Sequence, residues 1–183
     1  MSQEWLFESA SELGRSIGTG EIDPVRLTEG YLQAIDGHEF RDRIFSSVTH
    51  DRALSEAKTA AARAASGQRL GVLDGVPISW KDLFDSAGTE TAAGTAYLKG
   101  RVPKRDAVVL ENATKAGLVC LGKTHMSELA FSGLGFNPIT QTPPNVNDPD
   151  TVPGGSSSGA AASVAFGLAA CGIGSNTGGS VRI

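Results

Sequence analysis

Aromatic residues make up only 6% of the 183 residues, and histidine is scarcer, with three in all: His38, His50 and His125. So dispersed a set argues against a zinc centre, which gathers its ligands at close spacing. Cysteine occurs twice, as Cys120 in AGLVCLG and Cys171 in LAACGIG. Both stretches read as buried strands, so the thiols are expected to be reduced packing residues rather than a disulfide. No uninterrupted apolar run is long enough to span a bilayer, and Met1-Ser2-Gln3-Glu4-Trp5 has neither a basic n-region nor an apolar h-region. The expected setting is therefore cytoplasmic, with no membrane attachment. Cationic charge is not in excess either: the formal net charge is −4 and the pI near 5.4. With Lys and Arg scattered and no basic stripe, a nucleic-acid partner held by electrostatics is not expected. No G-x-x-x-x-G-K-[ST] phosphate loop occurs, and no cofactor is expected.

What the chain does have is 40% apolar content, enough for a real core, and a pattern that changes near residue 67. Ser9 is placed to cap a helix in ASELGRSI. Asp23-Pro24 opens a second in PVRLTEGYLQAI, with proline at the first helical position. A short strand, RIFSSVT, leads into the alanine-rich helix DRALSEAKTAAARAAS, which ends at Gly67. Residues 1–66 therefore read as an N-terminal helical segment packing on a core. From 67 to 183 the pattern is α/β: strand GVPISWKD, helix AVVLENATKAG, strand LVCLGK, helix SSGAAASVAFGLA and strand ACGIG. Alternation of this kind implies a mainly parallel sheet covered by helices on both faces. Ligands of such sheets gather beyond the carboxyl ends of the strands, where Lys81, Lys123 and the loop Ser175 to Ser180 are expected. The break directly after Gly-Gly-Ser reads as the first part of a domain that continues.

The densest chemistry lies between Pro153 and Ser180, where 28 residues include 8 Gly, 6 Ser and 6 Ala. Gly155-Ser156-Ser157-Ser158-Gly159 fits the G-x-S-x-G nucleophile elbow in form, but a loop precedes it and no histidine follows residue 125. Ser55-Glu56-Ala57-Lys58 fits S-x-x-K, yet it lies in an alanine-rich helix and reads as a solvated face. Gly172-Ile173-Gly174 lacks the third glycine and the following helix of a dinucleotide loop. What remains is serine chemistry with lysine as base. An amine with a pKa of about 10.4 needs roughly three units of depression, about 4 kcal/mol, to act at neutral pH. Lys81 ends an apolar strand that can supply the desolvation, while strand alternation turns Asp82 to the other face.

Four stretches, DGVPISWKDLF, AGLVCLGKTHMSELAFSG, PGGSSSGAAASVAFG and GIGSNTGGSVRI, occur in the order found in the amidase signature family of serine amide hydrolases, which the chain resembles from about Leu70 onward. The resemblance implies the amidase signature fold, with a mixed, mainly parallel central sheet of which this chain holds an incomplete N-terminal portion. It further implies a Ser, cis-Ser, Lys triad in which Ser180 is the nucleophile, Ser156 the bridging serine and Lys81 the base. The backbone N–H groups of Thr177, Gly178, Gly179 and Ser180 then form an oxyanion hole, free of side chains that would block a carbonyl. Ser157 and Asn176 are expected to hold this network by hydrogen bonds, and Arg182 to fix the loop. Asn176 stands where many members carry Asp, and Ser158 where Gly is commoner. Leu129, Phe131 and Ser132, within Met126 to Ser132, are candidates for a partly apolar acyl pocket.

The implied reaction is hydrolysis of a small-molecule carboxylic amide to acid and ammonia, with the identity of the acyl group and any homo-oligomer left open. A second reading is the glutamine-hydrolysing component (the A component) of a tRNA-dependent amidotransferase, a relative that releases ammonia from glutamine and would bring a nucleic acid into the system. A third is a non-catalytic module whose glycine nest captures an anion or small molecule.

Overall fold

A computed structural model describes residues 3–182. After a short 3-10 helix (Gln3–Phe7) come α1 (Ala10–Thr19), α2 (Pro24–Gly37) and a one-turn helix α3 (Arg41–Ile44). Both sequence-marked caps form. Ser9 Oγ accepts from the Glu12 N–H at 3.2 Å while the Ser9 N–H donates to Glu12 Oε2 at 3.1 Å, and Asp23 Oδ1 accepts from the Arg26 N–H at 2.9 Å. Strand β1 (Phe45–Val48) follows directly. It begins two residues later than its sequence suggests, because the Arg43 and Ile44 amides donate to the Phe40 carbonyl and close the turn of α3.

The remaining α-helices and strands are α4 (His50–Ala65), β2 (Pro77–Lys81), α5 (Val108–Lys115), β3 (Val119–Thr124), α6 (Ser158–Ala165) and β4 (Cys171–Ile173), with 3-10 turns at Ala96–Leu98 and Glu128–Ala130. The strands form one mixed sheet in the order β1-β3-β2-β4, with β2 parallel to β3 and β4 and β1 antiparallel to β3. Every residue of β2 and β3 is buried, as expected of central strands covered on both faces. The core joins Ile78, Trp80, Val119 and Leu121 of these strands to Leu27, Tyr31 and Ile35 of α2 and Ala53 and Ala57 of α4. Residues before Gly67 are thus tied to the sheet through β1 and through two packed helices. Cys120 is buried and its thiol is pushed up to about 12 by desolvation, but Cys171 is only half-buried because β4 lies at the edge of the sheet.

Register then places the chemistry. Trp80 pairs with Lys123 and Lys81 with Thr124 across β2 and β3, and Trp80 pairs with Ile173 of β4. The carboxyl ends of three parallel strands therefore open on one side of the sheet. Side chains alternate, so Ser79 and Lys81 face α6 while Trp80, Asp82 and Lys123 face the other way. Ser79 Oγ meets Ser163 Oγ of α6 at 2.7 Å. Helix α6 approaches because Gly159 has no side chain: a Cβ there would come within 2.7 Å of the His125 and Ile44 backbone. No helix among the described residues is long and apolar enough to cross a membrane.

Candidate active site

Lys81 is fully buried at the end of β2 and its Nζ is ringed by three hydroxyls: Ser156 at 2.6 Å, Ser175 at 2.7 Å and Ser157 at 3.1 Å. No carboxylate of a described residue touches it. Burial pulls its pKa from 10.5 down to about 8. The amino end of α6, beginning just beyond Ser157, adds a positive dipole end that also disfavours an ammonium ion here. An ammonium group would donate to all three hydroxyls. A neutral amine has two donors and one lone pair, so one hydroxyl must turn and donate to it, and Ser156 is the nearest.

Folding thus lowers the proton affinity of Lys81, whereas the unfolded chain keeps its proton up to about pH 10.5. Between pH 8 and 10.5 the unfolded state binds more protons, so stability rises with pH, by roughly 3 kcal/mol from this residue. Lys81→Met is expected to remove that rise. Urea unfolding of both full-length proteins across this window reads it as the difference between two stability curves.

Ser156 is itself buried, and the Gly155–Ser156 peptide is cis. The Ser156 carbonyl accepts from the Ser127 N–H at 3.2 Å, and the Gly155 N–H donates to Gly133 at 2.8 Å, so this turn is held from the loop after β3. Ser157 Oγ lies 3.3 Å from both the Ser175 N–H and the Ser175 carbonyl, which links the turn to the loop after β4.

Ser180 enters through its backbone, with its carbonyl accepting from the Ser157 N–H at 3.1 Å. Its half-buried side chain has no hydrogen bond with Ser156 among the described residues. It lines a cavity of about 170 Å³ together with Gly154, Gly155, Ala161, Val164 and Val181. The N–H groups of Thr177, Gly178, Gly179 and Ser180 donate to no backbone carbonyl among the described residues. Gly179, at φ 118°, takes a conformation that a side chain disfavours, and the turn is closed by the Arg182 N–H on the Gly179 carbonyl.

Other expectations from sequence fare differently. Asn176 and Arg182 are exposed, and neither side chain makes a hydrogen bond with a described residue; the contact expected of Asn176 is made by its neighbour Ser175. Sequence reasoning misses Ser175 as a site residue, although its place two residues beyond β4 is a signal for it. Leu129 and Phe131 are exposed and Ser132 is half-buried, and none of them lines the cavity beside Ser180. Leu129 and Ala130 in that stretch take φ of 49° and 59°. A larger cavity of about 640 Å³ lies elsewhere, between Trp5, Leu27, His38 and Phe166, and no serine or cysteine lines it. Among the described residues no three His, Cys, Asp or Glu side chains cluster as metal ligands.

A mainly parallel sheet carrying a buried lysine, a cis-linked serine and a glycine-turned loop at its carboxyl end goes with a clear family match. Residues 26–183 match the amidase family, and the chain belongs to it. The A component of the glutamyl-tRNA(Gln) amidotransferase of Thermobifida fusca is 41% identical over 179 residues, 98% of this chain and 36% of that protein. Among solved structures, the native peptide amidase of Stenotrophomonas maltophilia is 34% identical with a TM-score of 0.79, covering 88% of this chain and 34% of its own. A chain from a vestigial protein complex that reveals the evolutionary origins of an s-triazine catabolic enzyme superposes with a TM-score of 0.89 at 32% identity, covering 96% of this chain and 38% of its own. This chain therefore spans about a third of the length of the curated relatives it matches.

Proposed function

We propose that this chain carries the Ser, cis-Ser, Lys machinery of a serine amidohydrolase that cleaves a carboxylic amide to acid and ammonia. The observation that carries the reading is the buried amine of Lys81, 2.6 Å from the hydroxyl of Ser156 and with its pKa lowered by desolvation. In the proposed cycle Ser180 Oγ attacks the amide carbonyl. Its proton passes to Ser156 Oγ, whose own proton passes to Lys81 Nζ. Negative charge on the carbonyl oxygen is met by the N–H groups of residues 177–180. Collapse breaks the C–N bond, and the proton returns by the same path to the departing nitrogen, leaving an acyl ester on Ser180. Water, deprotonated by the same relay, then releases the acid. The cycle needs a link from Ser180 Oγ to Ser156 Oγ, and catalytic hydrogen bonds of this kind tighten when substrate is bound.

The test is covalent labelling of the full-length protein by a fluorophosphonate together with ammonia release from aliphatic, aromatic and ureido amides. Labelling at Ser180 and turnover of at least one amide class are expected. Labelling at another serine would sink the assignment.

A second reading is favoured by the names of the curated relatives, which are A components of glutamyl-tRNA(Gln) amidotransferases. Here the amide is that of glutamine and the ammonia is passed onward within a complex. Turnover of simple amides with no partner protein present argues for a free amidase, and glutamine hydrolysis that appears only with partner proteins bound supports this second reading.

A further inference from the structure

Asp82 follows Lys81 directly, and it is also buried. A carboxylate one residue from the proposed base, shielded from water, would stabilise the ammonium form of Lys81 and hold its proton in place. The fold answers this charge on the far face of the sheet. Lys123 Nζ lies 2.8 Å from Asp82 Oδ1, and it also donates to Thr91 Oγ1 and, at 3.3 Å, to the Glu90 carbonyl. Asp82 Oδ2 accepts from the Ala92 N–H at 3.1 Å. Burial disfavours both ions and their contact opposes it, but the pair sums to zero charge wherever the shared proton rests.

We propose that Lys123 is a positioning residue acting through Asp82: the ion pair cancels the buried carboxylate that follows Lys81 in the chain, on the opposite face of the sheet, leaving the amine free to release and recover a proton. The inference rests on Lys81 being the base. Other titratable groups around Lys81 do not supply this balance. His125, beyond β3, is held neutral by burial with its pKa down to about 4. Asp85 is paired with Arg101 at 2.6 and 2.7 Å. Glu128 accepts from Thr95, Arg182 is exposed, and α6 and β4 bring only the thiol of Cys171.

The experiment follows the rate of fluorophosphonate labelling of Ser180 against pH in the full-length protein. The wild-type midpoint is expected near 8. Lys123→Met, which leaves Asp82 unpaired, is expected to raise the midpoint by about one pH unit, and Asp82→Asn, which leaves Lys123 unpaired, to lower it by about as much. The double variant Asp82→Asn/Lys123→Met is expected to return it to within a few tenths of a unit of wild type. Opposite shifts with restoration are what charge cancellation requires, and a purely structural pair would lower the rate without moving the midpoint. Should Lys123→Met not fold, a lowered midpoint in Asp82→Asn with restoration in the double variant supports the inference. Midpoints that stay in place, or singles that move in the same direction, overturn it. A wild-type profile that is flat, or that survives in Lys81→Ala, instead removes the assignment of Lys81 as base.

Discussion

Ser180→Ala in the full-length protein is expected to abolish amide turnover, with a loss of roughly six orders of magnitude if the serine and its base act as a unit. Fluorophosphonate labelling should disappear with it. Stability should hardly change, because the half-buried Ser180 hydroxyl makes no hydrogen bond to Ser156, and substitutions that break no buried contact usually stay within about 0.5 kcal/mol. That pairing of a large kinetic effect with a small thermodynamic one is what separates a nucleophile from a loop residue. A non-catalytic module that used the backbone N–H groups of residues 177–180 to hold an anion would keep its ligand in Ser180→Ala, since those donors belong to the backbone. Steady-state turnover, intact-protein mass after labelling and a urea melt on the same preparation decide between the two.

The parts of this site that can be read from the sequence are those written locally. Ser9 with Glu12, and Asp23 with Pro24, fix helix starts within four residues, and both form as their chemistry dictates. The apolar runs around Ile78 and Leu121 mark central strands, and alternation along β2 separates Lys81 from Asp82. What cannot be read is closure over long separations. The Lys81 contacts to Ser156 and Ser175 span 75 and 94 residues, and although the place of Ser175 just beyond β4 points to this loop, it does not say that Ser175 rather than Asn176 turns inward. Cys171 reads as buried because its neighbours are apolar, but its exposure depends on which strand ends the sheet. Leu129 and Phe131 are a related case: their hydrophobicity suggests a pocket, and the structure of this chain places both at the surface, in a stretch with left-handed backbone at Leu129 and Ala130. The partnership of Asp82 with Lys123 needs the register of β2 on β3, which composition does not encode.

Lys81→Ala should reduce turnover of the full-length protein by three orders of magnitude or more, and the residual rate should lose its acid limb. The sign follows from which form is active. Only a neutral amine could take a proton from Ser156, so in wild type the rate is expected to fall as pH drops through about 8. Without the amine no group of that pKa lies in the relay, because the hydroxyls of Ser156, Ser157 and Ser175 do not titrate in this range. Lys81→Arg makes the sharper test. Guanidinium can donate hydrogen bonds to the surrounding hydroxyls, but it stays protonated at every accessible pH and cannot serve as a base. If Lys81 were only a cation that organises three serines, arginine would restore much of the rate; if it is the base, arginine leaves the protein as inactive as alanine does. Turnover and labelling against pH for the two variants, beside wild type, separate these outcomes, and arginine activity within tenfold of wild type would remove Lys81 from the chemistry.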